Sequence, residues 1–220
     1  MSPTITQRLE SFEQWSANLF LFGGVMFAIS AALTVVAMVT GAVQSNMVLG
    51  EAFIAAGWIA PLVGLLGLYP VLADRSTRLV QAGLVFVVIG LVAFVFLAVA
   101  SIIAFVQSME ITEIPIPVVI LLPGIIAGSL LAFVSFSAAS LRSGAHSRTV
   151  GLLMLVPSAI FVTNFLILPL IRGPGPNPPE IGFVITGALS LAMLTIGYVL
   201  QTEDVPTSHT DPVSAESVTE

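Results

Sequence analysis

The chain alternates long apolar runs with short polar breaks, and the breaks carry the charge. Between Leu19 and Leu200 only ten residues are formally charged. They fall at five places: Glu51; Asp74, Arg75 and Arg78; Glu110 and Glu113; Arg142 and Arg148; Arg172 and Glu180. The runs between them predict helical spans at about 19–43, 52–73, 79–106, 117–141, 150–171 and 181–200. An apolar helix of about 20 residues crosses a hydrocarbon core of about 30 Å. The expected fold is therefore all-α, an integral membrane bundle of six transmembrane helices over 19–200. Its loops are short, so consecutive spans should run antiparallel with no soluble domain between them. The third span is the longest, about 42 Å at 1.5 Å per residue, and should tilt or protrude.

The two ends break this pattern. In residues 1–18, Ile5, Leu9, Phe12, Ser16 and Leu19 share one helical face, with Trp15 beside it. Arg8, Glu10, Glu13 and Gln14 fall largely on the other. This predicts an interfacial amphipathic lead running into the first span. Thr4 and Gln7 have the spacing of a capping box. The lead is too long and too acidic for a signal peptide, and no small-residue cleavage site follows. Residues 201–220 hold Glu203, Asp204, Asp211, Glu216 and Glu220, no basic residue, and many Ser, Thr and Pro. A segment of that composition buries no core, and the expectation is a disordered acidic tail.

Composition agrees with a membrane protein. Hydrophobic residues make up 57% of the 220 and charged residues 8%, where a soluble domain carries about 25% charge. Cysteine is absent, which removes disulfides, thiolate metal sites and cysteine nucleophiles together. Lysine is absent too, and six Arg stand against twelve Asp plus Glu. A GC-rich genome and salt adaptation would each push in that direction. The net charge of −6 argues against nucleic acid as a partner; the expected partner is the lipid bilayer.

Arg in short loops predicts orientation. With the N-terminus cytoplasmic, Arg8, Arg75, Arg78, Arg142 and Arg148 lie inside and Arg172 alone outside. Both termini are then cytoplasmic in the cell membrane. Trp15, Tyr69 and Tyr198 fall at cytoplasmic span ends, where amphipathic rings suit the headgroup level. Arg75, Arg78, Arg142 and Arg148 are expected to touch anionic lipid headgroups. His146 sits among them, a poor metal ligand in a basic field. Asp74 and Arg78 are spaced for a local ion pair.

Small residues and prolines predict the packing. The fourth span offers Gly124-x-x-x-Gly128 followed by Ala132, Ser135 and Ala139, and the second offers Ala60-x-x-x-Gly64. Close helix approach depends on such residues, so spans two and four are expected at the centre. Gly124 and Gly128 serve either internal packing or self-association or another membrane protein. Pro61, Pro123 and Pro157 lie inside spans and should kink them.

Candidate chemistry is sparse. With Glu51 read as the outer opening of the second span, where a helix N-terminus favours a carboxylate, the span interiors hold no ionisable residue. That counts against ion-coupled transport. Asn164 is the most polar side chain deep in a span. Trp58, Thr186 and Ser101 reach similar depths, and with Glu51 they form the set of candidate ligand-binding residues. They would line an outward-facing cavity, or simply bond neighbouring helices. No catalytic triad, HExxH, phosphate loop, dinucleotide fingerprint or paired carboxylate appears, so no catalytic residue, metal or cofactor is expected. The loop 172–180 holds four prolines and should be stiff, capping the outer end.

The run Gly64-Leu65-Leu66-Gly67-Leu68-Tyr69-Pro70-Val71-Leu72-Ala73-Asp74-Arg75 resembles stretches in haloarchaeal polytopic membrane proteins of unknown function. That resemblance brings no site residues with it. The sequence thus points to a non-enzymatic membrane component, structural or interacting. The alternative is a passive or weakly coupled transporter of a small uncharged solute.

Overall fold

Six helical spans, long and apolar enough to cross a membrane, make up most of the described residues: Gln14–Thr40, Val48–Ala73, Arg78–Gln107, Leu121–Ser143, Arg148–Arg172 and Pro179–Thr202. The structure, a computed structural model, describes residues 5–41, 43–107, 118–144, 147–173 and 178–203. Side chains are described over 14–41, 48–73, 78–107, 121–144, 147–173 and 178–202. The proposed cap at Thr4, Glu110, Glu113, His146, the centre of the proline-rich loop and tail residues 204–220 lie outside these limits. So do the side chains of Asp74 and Arg75, and with them their ion pair and lipid contact.

The elements are α1 (Ile5–Thr40), α2 (Val43–Gln107), α3 (Val118–Ser143), α4 (Arg148–Leu153), α5 (Leu155–Val162), a π-helical turn (Thr163–Ile167), α6 (Leu168–Arg172) and α7 (Pro179–Glu203). α1 joins the lead to the first span in one helix, and its Ser16 and Ala17 are buried in the bundle. α2 is a hairpin of two arms, spans two and three. Trp58 stacks on Phe94 across it, and Val48 packs with Ala100 and Ala104. The reversal therefore lies between the arms. α3 is span four, α4 to α6 make span five, and α7 is span six. The glycines Gly144 (φ 59°) and Gly173 (φ 88°) close spans four and five, a conformation that Cβ-bearing residues resist.

Close approach of backbones sets the arrangement. A Cβ on Gly128 would run into the backbone of Gly90, so the GxxxG glycines seat span four on span three of the same chain. A Cβ on Gly23 would meet the ring of Pro61 at 2.5 Å, and one on Gly197 the carbonyl oxygen of Ala17 at 2.8 Å. α1 thus lies against both span two and span six. Ser190 Oγ donates to the Gly24 carbonyl at 2.8 Å, and Gln201 Nε2 to Asn18 Oδ1 at 2.9 Å. Span two is the most enclosed, with 56% of its core window buried; span six has 44% and span four 39%. Span two, expected at the centre, is thus the best enclosed; span four, expected beside it, is less so, although its Phe133 and Phe136 are fully buried.

The outward surface is apolar. Val85, Val88, Val92, Val95, Val99 and Ile102 form an exposed face of span three. A surface of that kind suits lipid, not water. Polar side chains inside the spans mostly return to their own helix: Thr34, Ser101, Ser129, Thr163 and Thr195 each donate to the carbonyl four residues earlier. Such back-bonding satisfies a hydroxyl without a partner helix.

Candidate functional site

A cavity of about 290 Å³ opens in the half of the bundle remote from the Arg78 and Arg142–Arg148 connections. Its described walls come from spans two to six, and no described side chain of α1 takes part. Glu51, Trp58, Asn164 and Thr186 all line it, together with Phe94, Phe161 and Phe165. Four of the five residues singled out for polarity and depth in the sequence therefore meet at one place. Ser101 does not. It is buried, and its Oγ donates to the Leu97 carbonyl at 2.9 Å; Leu97 lines the cavity in its stead.

Glu51 stands differently from its sequence reading. α2 begins at Val43, so Glu51 is more than two turns inside the helix and belongs to the span Val48–Ala73. The favourable field of a helix N-terminus fades within the first turn and does not account for it. Glu51 is the fourth residue of that span, where the sequence reading put it at the opening, and it lines the cavity. Among the described residues Glu51 makes no ion pair or hydrogen bond.

Trp58 forms the floor. It is buried, with its indole edge-on to Phe27 at 5.5 Å, Phe133 at 6.0 Å and Phe161 at 5.5 Å, and stacked on Phe94 at 5.7 Å. Each such pair contributes about 0.5–1.5 kcal/mol beyond its area, so the ring is held in one orientation. Its N–H has no acceptor among the described residues, and the one sealed side-chain polar atom without a partner there is Ser140 Oγ. The indole N–H is thus left to the cavity. Phe161 stacks on Phe165 at 4.5 Å, extending the aromatic wall upward.

Below Trp58 the described residues are tightly packed. Phe20, Leu62, Leu65, Phe133, Phe136, Met154 and Met193 are fully buried in one apolar cluster. Nothing polar continues the cavity toward the arginine-rich end through these residues.

No protein-family model, curated protein or solved structure matches this chain.

The wall carrying Asn164 is the least regular part of the bundle. Span five is interrupted at Met154, three residues before Pro157, whose missing N–H leaves the carbonyl four residues back without its helical donor. A second interruption, missed in the sequence, is the π turn Thr163–Ile167, where the Leu168 N–H reaches back five residues to the Thr163 carbonyl. Pro169 follows at once and supplies the physical signal: its ring and missing donor disturb the turn before it. Asn164 lies in this turn, a kind of irregularity often found at functional sites. Thr186 Oγ1 donates to the carbonyls of Gly182 at 2.8 Å and Phe183 at 3.2 Å, leaving its lone pairs as acceptors. Among the described residues no group of three metal-ligating side chains occurs. Arg78, Arg142 and Arg148 are exposed at the opposite end.

Proposed function

We propose that this chain is a small-molecule-binding protein of the cell membrane, without a catalytic role. It takes its ligand from the outer side. The observation carrying this is the cavity that brings Glu51, Trp58, Asn164 and Thr186 together above a closed floor. Its volume lies near the lower bound of about 300 Å³ for ligand pockets, so the ligand is small. Arg-rich connections at the other end support a cytoplasmic placement for that end and an outer placement for the cavity. A purely structural component has no need of a void lined in part by polar side chains, because an unfilled core loses packing.

Transport is the second reading, favoured by the doubly interrupted span five beside the cavity. Discontinuous helices recur at the substrate sites of membrane carriers. Passage would then require the Trp58 floor to move.

The chain's lack of cysteine makes the test direct. The variant Asn164→Cys is expected to react with a membrane-impermeant thiol reagent added outside cells. Reaction from the inside alone would keep the pocket and reverse the orientation; protection from both sides would refute the pocket.

A further inference from the structure

We infer that the cavity takes a small organic cation, an alkyl- or arylalkylammonium compound, with Glu51 as its counter-charge. This inference rests on the pocket reading above and goes beyond it to the class of ligand. Three observations carry it. First, Glu51 is a cavity-lining carboxyl group inside a span, and no basic side chain pairs with it among the described residues. A carboxylate in that position repels anions and asks for a positive partner. Second, the remaining wall is largely aromatic: Trp58, Phe94, Phe161 and Phe165. Ring faces attract a weakly hydrated ammonium group and accommodate its carbon substituents, most strongly at Trp. Third, oxygen ligands are few among the described residues, where only Glu51, Asn164 and Thr186 provide side-chain oxygen. A hard metal cation needs about six or more oxygens in regular array, so this wall favours an organic cation over an inorganic one. The fixed Trp58 ring and the small volume then select for a compact head. Asn164 and Thr186 are placed to meet a hydroxyl or N–H on the same molecule.

The assignment is tested in purified protein carrying Trp15→Phe, which leaves Trp58 as the sole tryptophan and so the sole indole reporter. Choline, benzyltrimethylammonium and phenethylammonium are titrated against Trp58 fluorescence. The neutral choline isostere 3,3-dimethylbutan-1-ol serves as the comparison. The expected result is saturable quenching by at least one of the cations and at least tenfold weaker binding of the isostere. Glu51→Gln is expected to lose at least tenfold for that cation while binding of the isostere is retained, which also shows that the variant is folded. Equal binding of cation and isostere, or an unchanged cation affinity in Glu51→Gln, overturns the cation assignment and leaves the pocket intact. No binding by any of the cations, with the Asn164→Cys variant still reactive from outside, also overturns the assignment alone. No binding, together with protection of the thiol in Asn164→Cys, overturns both.

Discussion

Two buried side chains show how differently a polar atom can sit in this bundle. Ser137 Oγ donates to the Gly151 carbonyl and so ties span four to the start of span five. Ser140, one turn on, is buried with no partner for its Oγ among the described residues. An unsatisfied hydroxyl costs about 1–3 kcal/mol, whereas replacing it with an apolar group of similar shape is nearly neutral or favourable. Ser140→Ala is therefore expected to keep or raise the midpoint of thermal unfolding in detergent, and Ser137→Ala to lower it. The opposite order would show that Ser140 has a partner of consequence. Glu51 belongs at this scale too. Its single charge, between Gly50 and Ala52, reads in the sequence as a break between spans. Only the helix start at Val43 shows that the break comes earlier, before Val43, and that Gln44, Ser45 and Asn46 lie within the helix.

At the scale of the element, glycine contacts and prolines decide the geometry. Gly128 touches Gly90 so closely that no side chain fits between. Gly128→Leu must push spans three and four apart along a well-packed face, and overpacking typically costs about 1–3 kcal/mol. The expected outcome is a clear fall in thermal midpoint with the protein still monodisperse at first. An unchanged midpoint would show that the two spans do not meet there. Gly124 is the milder site, since its Cβ would rest 3.4 Å from that of Ala93. The existence and order of the spans were legible in the sequence because charge avoids hydrocarbon. Their neighbours were only partly legible: GxxxG marked a close approach but not its partner, and Gly24 and Gly197, which bring α1 and α7 together, carry no motif. The cavity residues were legible as separate polar exceptions at one depth. Their meeting was not, because rotation of each span about its axis is set by packing, which one sequence does not display. The π turn at Asn164 was hidden for a related reason: Pro169 lies near the end of an apolar run, where a proline ordinarily needs no explanation.

For the whole molecule, the decisive asymmetry is between an aromatic cavity at one end and arginines around a solid core at the other. On the proposed reading, ligand would reach the cavity from one side of the bilayer, and the arginines would set which side. Thr149 is exposed at the arginine-rich end, and Asn164 lines the cavity at the other. The single-cysteine variants Thr149→Cys and Asn164→Cys should therefore report opposite faces. In intact cells a membrane-impermeant reagent is expected to modify Asn164→Cys and spare Thr149→Cys, which should react once the membrane is permeabilised. Reversed labelling would turn the molecule over and make the cavity a cytoplasmic site. Modification of both variants from outside would mean that a continuous water path passes the Trp58 floor, and that the apolar cluster beneath it opens. That last result would move the balance from binding to transport. Phe133 and Phe161, packed edge-on against Trp58, would then be the first positions at which a bulkier or smaller ring should change the rate of labelling in the Thr149→Cys background.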